Sequence, residues 1–310
     1  MKQRLFIGLF LAVTCQAQAQ TIELADPTIF LDNGTYYLSG TNAPDGFLQY
    51  KSTDLVKWEK SGKAQEGYSL KKGDVFGTKG FWAPQYFKQN GTYYMVYTAN
   101  ELIAIAKSSS PEGPYTMESK VELPHDDGQI DPFVFVDDDG TKYLYHVRFD
   151  GANTLYVAEL NDDFSSIKPG SITKCLGAEL PWEKAEHYST YKVTEGPTVM
   201  KDGEYYYLIY SANDFRDIDY SVGYAYSKSP RGPWIKPGWP FLNRYVTGWN
   251  GTGHGDLFKG KDGQFYYVFH THHNNEKVEK RRTAIVPITL TDNPMNKFIP
   301  QMDQMRFLGE

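Results

Sequence analysis

The chain has 310 residues, 15% of them aromatic, and a net charge of −6 at neutral pH. An acidic chain without basic runs is not what a nucleic-acid-binding protein needs, so no nucleic-acid partner is expected. The length is sufficient for one domain with a large core, and the 24 tyrosines suit β-structure and stacking against sugar rings.

Residues 1–19 have the pattern of a signal peptide. Lys2 and Arg4 form a basic start, residues 5–13 are apolar, and residues 17–19 match a cleavage site. The apolar run is too short to cross a bilayer comfortably as a helix, so no membrane span is expected. We therefore predict an exported protein, either periplasmic or secreted.

The mature protein is predicted to be one domain, residues 20–310. Anchoring as a lipoprotein through Cys15 is the less favoured alternative, because Thr14 is a poor residue before a lipidated cysteine. Once the leader is removed, only Cys175 remains, so no disulfide forms within the chain.

A five-fold repeated pattern fills the mature chain. In the central copy, residues 129–145 read QIDPFVFVDDDGTKYLY: an Asp-Pro pair, an apolar run, a tight turn and an aromatic run. Asn-Gly or Asp-Gly between two apolar runs is a strong signal of a β-hairpin. The turn glycines recur about every 50 to 60 residues, at Gly34, Gly91, Gly140, Gly203 and Gly263.

A strand-only repeat of this length predicts the blades of a β-propeller. One blade cannot bury its own faces, so neighbouring blades must stack around an axis. We therefore expect an all-β, five-bladed β-propeller with the active site in a funnel at the propeller axis. The residue at the head of each copy should point towards the axis; these heads are Asp26, Ala83, Asp131, Glu195 and His254.

Three of the five heads are acidic. Taken singly, Asp26, Asp131 and Glu195 are simply explained as turn residues. Three acids at equivalent points of a repeat instead converge in one funnel, which suits the hydrolysis of glycosidic bonds. That reaction needs one carboxylic acid to protonate the leaving oxygen and a second carboxylate to activate water or attack carbon.

The motifs ADPTIF, FWAP, IDPFVFVDDDG, EGPTV and GTGHGDLF resemble, in this order, the signature of glycoside hydrolase family 43, and SPRGPW is also similar. The resemblance covers nearly the whole mature chain. It implies a five-bladed propeller and an inverting hydrolase of polysaccharides that contain arabinose or xylose. By position, it implies that Asp26 is the general base, Glu195 the general acid, and Asp131 the residue that raises the acid's pKa and orients it.

The resemblance also implies substrate contacts. Trp82 either stacks on the bound sugar or packs between blades, and an arginine of the last blade, Arg281 or Arg282, donates to sugar hydroxyls. The arginine doublet leaves the register open, because alternate residues of a strand face opposite ways. The long connection 175–194 is a further candidate for specificity.

No cofactor is required for this chemistry. The resemblance leaves open a hydrated metal ion, commonly Ca²⁺, near His254 on the axis. Calcium prefers oxygen ligands, so such an ion would be held mostly by water. His270, His272 and His273 are interpreted as a strand end and its loop, since no cysteine or aspartate completes a metal-ligand set.

The sequence thus predicts an exported inverting glycosidase whose partner is a plant-type oligo- or polysaccharide. An α-L-arabinofuranosidase is the first choice and a β-xylosidase the second, with an endo-acting arabinanase or xylanase also open. A non-catalytic carbohydrate-binding propeller is the alternative of another class, but such a protein need not keep three acids. The oligomeric state is left open.

Overall fold

Five antiparallel β-sheets make up the protein in this computed structural model, which describes residues 21–124 and 128–309. The predicted signal peptide and Cys15 lie outside the described residues. Within those two ranges, no helix has the length and apolar character needed to cross a bilayer.

The strands are numbered in chain order, and each blade starts with its innermost strand. Blade 1 contains β1 (Ala25–Asp32), β2 (Thr35–Thr41), β3 (Gly46–Ser52), β4 (Glu59–Lys60) and β5 (Tyr68–Lys71); blade 2 contains β6 (Trp82–Gln89), β7 (Thr92–Ala99) and β8 (Leu102–Ser108); blade 3 contains β9 (Gln129–Val136), β10 (Lys142–Phe149), β11 (Asn153–Glu159) and β12 (Thr173–Leu176); blade 4 contains β13 (Thr194–Asp202), β14 (Tyr205–Ala212) and β15 (Ser221–Ser227); blade 5 contains β16 (Gly253–Lys259), β17 (Phe265–Thr271), β18 (Arg282–Leu290), β19 (Phe298–Pro300) and β20 (Arg306–Phe307).

Helical structure is confined to short turns in the connections between strands. One α-helical turn and four 3₁₀ turns are found in the described ranges: α1 (Arg244–Thr247), Gln65–Gly67, Pro181–Lys184, Pro294–Asn296 and Met302–Gln304.

The five innermost strands form a closed ring, as the repeat predicted. Each of β1, β6, β9, β13 and β16 contacts the next, and β16 contacts β1. The ring is closed by the ends of the chain: the Ile22 N–H donates to the Leu308 carbonyl (2.9 Å), and the Thr283 N–H donates to the Ile22 carbonyl (3.1 Å). The last long strand, β18, therefore lies beside the N-terminal segment.

Every innermost strand carries a one-residue bulge near its start, where the pairing with the second strand shifts. A bulge redirects the side chains around it. The residue in the bulge has a positive φ, between 37° and 59°, in all five blades. These equivalent residues are Asp26, Ala83, Asp131, Gly196 and His254.

The bulges correct one of the predicted heads. In blade 4 the equivalent residue is Gly196, and Glu195 lies one position earlier, level with Trp82 of blade 2. The reason is steric: a Cβ at position 196 would lie 2.7 Å from the His254 ring, which packs against this glycine. The general-acid candidate therefore reaches the axis from a different position than the two aspartates.

A ring of hydrogen bonds between blades holds these bulges. In four of the five blades, the backbone N–H of the bulge residue donates to a side chain at the end of the preceding blade's second strand. The donor–acceptor pairs are Asp26 to His270 Nδ1 (3.1 Å), Ala83 to Thr41 Oγ1 (2.9 Å), Asp131 to Thr98 Oγ1 (2.9 Å) and His254 to Ser211 Oγ (2.7 Å).

Replacing Thr98 by valine should therefore destabilise the protein. Thr98 is fully buried, and the change leaves the Asp131 N–H without its acceptor. An orphaned buried donor costs about 1–3 kcal/mol. We expect the urea midpoint to fall by a corresponding amount with an unchanged m-value. Thr289→Val, at an exposed threonine of β18, is the matched control and should have little effect; equal midpoints for the two variants would contradict the prediction.

Candidate active site

A cavity of about 380 Å³ opens directly above the bulges, at the propeller axis. All three predicted acids line it. That this cavity is a funnel-shaped active site stays a prediction. Of the described residues singled out from the sequence, the cavity brings together Asp26, Asp131, Glu195, Trp82, Arg281 and His254.

Glu195 is anchored at the side of the cavity by two side chains. The Tyr220 hydroxyl donates to its Oε1 (2.7 Å), and Asn153 Nδ2 donates to Oε2 (3.4 Å). The Tyr220 ring lies over Gly253, where a Cβ would come within 2.2 Å of the ring. The glycine at this position of blade 5 thus lets the tyrosine reach the acid.

Burial raises the pKa of Glu195 to about 7, and the charges of Asp26 and Asp214 add to the rise. The hydrogen bonds from Tyr220 and Asn153 lower this pKa, because they stabilise the charged form. A carboxyl with a pKa near 7 can hold a proton at neutral pH and give it up during a reaction.

Asp131 is buried beside Glu195, and its pKa is raised well above its ordinary value by burial and by the charges of Glu195 and Asp26. Two carboxyls this close do not both ionise readily, so the pair retains a proton where isolated carboxyls would be fully charged.

Asp131 also fills the one gap in the ring of hydrogen bonds. In blade 3 the position equivalent to Thr41 and Thr98 is Val147, which has no acceptor. The Gly196 N–H donates instead to Asp131 Oδ2 (3.3 Å). Asp131 is thereby tied to the peptide that directly follows Glu195, which fixes the two carboxyls relative to each other.

Asp26 lies on the opposite part of the ring, among nitrogen-bearing side chains. Arg281 Nη1 donates to its Oδ1 (3.4 Å), and His254 Nδ1 lies 3.3 Å from the same oxygen. Burial lowers the pKa of His254 and of His270, so both rings favour the neutral form. Arg281 is thus the permanent cation next to this carboxylate.

The structure distinguishes between Arg281 and Arg282, for which the sequence left open which one faces the site. Arg281 lines the cavity, and its guanidinium lies 4.3 Å from the centre of the Phe215 ring. Arg282, the first residue of β18, lies outside the cavity, over the rings of Trp249 and Phe307. The suggestion that Arg282 contacts substrate is therefore withdrawn.

Trp82 lies at the cavity wall with 37% of its surface exposed. Of the two interpretations of this residue, packing between blades does not fit that exposure. Its role in stacking on a sugar stays a prediction.

The surroundings of His254 only partly fit a calcium ion. Asp131, Glu195 and His254 each place one potential ligand atom within 4.8 Å of the others. Calcium takes roughly six to eight oxygen ligands, so water would have to complete the shell. The axial ion stays a prediction, and the carboxylates that would hold it are the ones the chemistry uses.

Several cavity residues escaped the sequence analysis. The β14–β15 loop contributes Asp214, Phe215 and Arg216, and the start of β11 contributes Asn153. No motif marks them, because they lie in a loop and at a strand start outside the repeated phrase. Tyr191 also lines the cavity. The sequence analysis named the long connection 175–194 that contains it as a candidate for specificity, but did not single out this residue.

The polar ring residues do leave a weak signal in the sequence. Thr41, Thr98 and His270 each follow the turn glycine of their blade by seven residues, and Ser211 follows by eight. His270 is thus a strand-end residue, as predicted, but it also contacts the catalytic candidate Asp26.

A family model for glycosyl hydrolases family 43 matches residues 20–295. The chain belongs to glycosyl hydrolase family 43. A crystal structure of an endo-1,4-β-xylanase from Bacteroides thetaiotaomicron is 38% identical, with a TM-score of 0.83 over 91% of this chain and 95% of that one. The family expected from the motifs is confirmed, as are the five-bladed propeller and the classification as a glycoside hydrolase.

Two curated relatives of this family 43 chain have different activities. The β-D-galactofuranosidase xynD of Aspergillus niger is 28% identical over 84% of this chain and 78% of its own length. The extracellular exo-α-(1→5)-L-arabinofuranosidase ArbA of Cellvibrio japonicus is 25% identical over 84% of this chain and 83% of its own. Family membership therefore does not determine the sugar.

The adjacent arginines provide a matched test of the cavity. Arg281→Ala removes a donor to Asp26 and a cavity wall, so we expect kcat/KM to fall by roughly 10²-fold. Arg282→Ala removes the packing over Trp249 and Phe307, outside the cavity, and should lower Tm while leaving kcat/KM within a factor of about two. Steady-state kinetics and thermal melting check both variants; similar kinetic losses would contradict the assignment.

Proposed function

We propose that the chain is an exported, inverting α-L-arabinofuranosidase that removes single arabinose units from plant-type polysaccharides. The observation that carries the proposal is the set of three carboxyls in unlike environments around one cavity: Glu195 with its pKa near 7, the buried Asp131 and the Arg281-paired Asp26. Export rests on the predicted leader.

The roles follow from these environments. Glu195 holds the proton that the leaving glycosidic oxygen needs, and Asp26 accepts a proton from the attacking water. The water oxygen bonds to the anomeric carbon as the bond to the leaving oxygen breaks, which inverts the configuration. Asp131 takes part in neither proton transfer. It accepts a hydrogen bond from the peptide after Glu195, and its carboxyl interacts electrostatically with that of Glu195.

The size of the cavity supports release of single units. A volume of about 380 Å³ is at the lower end of the range for small-ligand pockets and suits one sugar ring with its waters. Both curated relatives cited above are named for furanosides, which favours arabinofuranose over xylose. A β-xylosidase is the second choice.

An endo-acting arabinanase or xylanase is supported by a different observation. A second depression of about 300 Å³ adjoins the cavity and shares Thr41, Trp82 and Arg281 with it. A sugar chain that occupied both spaces would be cleaved internally. The xylanase structure that is 38% identical is consistent with this alternative.

The deciding experiment is a panel of nitrophenyl glycosides: α-L-arabinofuranoside, β-D-xyloside and β-D-galactofuranoside. Turnover of the first establishes the proposal, and turnover of another replaces the sugar. If none of the three is hydrolysed but oligosaccharides are released from arabinan or xylan, the proposal is replaced by an endo-acting enzyme. Early NMR spectra of the product should show inverted configuration; a retained anomer would contradict the mechanism.

Glu195→Gln should reduce kcat by about 10² or more on substrates with a sugar leaving group, because general-acid assistance is lost. The loss should be smaller on nitrophenyl glycosides, whose leaving group needs little protonation. Asp26→Asn is the comparison, since loss of the base should affect both substrates equally. If Glu195→Gln turned over both substrates as the wild type does, Glu195 would not be the acid.

The pH dependence should report the same acid. Because Glu195 must be protonated, kcat/KM should fall as pH rises through about 7. Tyr220→Phe removes a hydrogen bond that lowers this pKa, so the alkaline limb should move to higher pH. Tyr206→Phe breaks a similar tyrosine–carboxylate bond, to Asp137, outside the cavity and should leave the limb in place. An unshifted limb in Tyr220→Phe would assign the limb to another group.

A further inference from the structure

The wall of the cavity continues outwards as a series of stacked side chains. The Arg281 guanidinium lies 4.3 Å from the Phe215 ring centre, the Arg216 guanidinium lies 5.1 Å from the same ring, and Arg216 also lies 4.2 Å from the ring of Tyr188. Tyr188 is 51% exposed and is not part of the cavity lining. The series therefore leads from Asp26 to the protein surface.

Arg216 is held rigidly in this series. Its Nε and Nη2 donate to the two oxygens of Asp214, at 2.8 and 2.7 Å. Such a two-point bond fixes the plane of the guanidinium. The backbone of Tyr188 is fixed as well, because its N–H donates to Asp217 Oδ2 (3.1 Å).

A second stack of the same construction stands beside the first. The Arg244 guanidinium lies 4.6 Å from the ring of Tyr245, which is 78% exposed, and Arg244 Nε donates to Asp219 Oδ1 (2.6 Å). Asp219 also lies 2.9 Å from Nε2 of His187, the residue before Tyr188. Asp219 thus joins the two stacks.

Two exposed tyrosine rings are thus held in position: Tyr188 contacts the cavity-lining Arg216, and Tyr245 is linked to the segment of Tyr188 through Arg244 and Asp219. Such rings match the requirements of sugar binding. A tyrosine ring packs on the C–H face of a sugar while its hydroxyl stays in water. Rings that are already ordered lose little conformational entropy on binding. Each guanidinium in the stacks is paired with an aspartate, so the surface offers hydrogen-bond donors without an excess of positive charge.

We propose that Tyr188, Arg216 and Tyr245 form a saccharide-binding surface, the outer ridge, which holds the main chain next to the unit in the cavity. The inference rests on the proposed function and names its substrate class: a neutral polymer or long oligosaccharide rather than a short glycoside. Sugar chains rich in uronic acid fit less well, because three aspartates lie at this surface against two arginines, which leaves a net negative charge. The aspartates are Asp214, Asp217 and Asp219, and the arginines are Arg216 and Arg244.

The test compares a small with a large substrate. Tyr188→Ala and Tyr245→Ala should each raise KM for soluble arabinan or arabinoxylan by roughly 3- to 10-fold, with kcat unchanged. Kinetic constants on the nitrophenyl glycoside should stay at wild-type values. Replacement by phenylalanine keeps the ring and should restore most of the polymer affinity. Tyr205→Ala is the control. A cation, Lys228, also lies over the Tyr205 ring, but this tyrosine is beside the β13–β14 turn, at the far end of blade 4.

Native gels that contain neutral arabinan, arabinoxylan or an acidic xylan give a second readout, independent of turnover. In a Glu195→Gln background the polymer stays intact, and retardation by the neutral polymers should be lost in the Tyr188→Ala/Tyr245→Ala double variant. Undiminished retardation and unchanged polymer KM would overturn the ridge, as would an equal rise in KM for the nitrophenyl glycoside. If the wild-type protein hydrolysed none of the glycosides, that result would count against the proposed function instead. The native gels would still test whether the outer ridge binds the polymer.

Discussion

The bulge at the start of each innermost strand is the constraint on which the site depends. Five residues adopt a positive φ there, although only Gly196 among them does so at no steric cost. The strain persists because each N–H is held by a neighbouring side chain, as with Asp131 and Thr98. The same turn of the backbone directs Asp26, Asp131 and His254 towards the axis. The contacts between neighbouring blades that hold the bulges therefore also position the site residues.

The chemistry arises where this five-fold regularity is broken. Because the Val147 side chain cannot accept a hydrogen bond, the Gly196 N–H donates to Asp131 instead, and a buried carboxyl thereby lies next to Glu195. Gly196 makes room for His254, and Gly253 makes room for Tyr220. Each departure from the repeat places one polar group in a low-dielectric position, and burial is the largest cause of the raised pKa values of Glu195 and Asp131. A perfectly regular propeller would have equivalent side chains and no division between acid and base.

Much of the site was predictable because the repeat aligns distant positions. Asp26 and Asp131 precede proline in corresponding phrases, so their convergence followed from the fold class. The register of Glu195 was wrong by one residue, since the phrase Glu-Gly-Pro does not reveal that a neighbouring imidazole requires the glycine. The choice between Arg281 and Arg282 depended in the same way on packing, here over Phe215 or over Trp249.

The sequence by itself determined the number of blades, the hairpin turns and the three acids, because strand period and turn chemistry are local and recur five times. Only the tertiary structure decided which residues surround those acids. Asn153 comes from blade 3, whereas Tyr220 and Asp214–Arg216 come from the β14–β15 loop of blade 4. They share no motif, and their distances to Glu195 and Asp26 depend on how the blades close. The raised pKa of Glu195 likewise has no counterpart in the sequence, because burial is a property of the assembled ring.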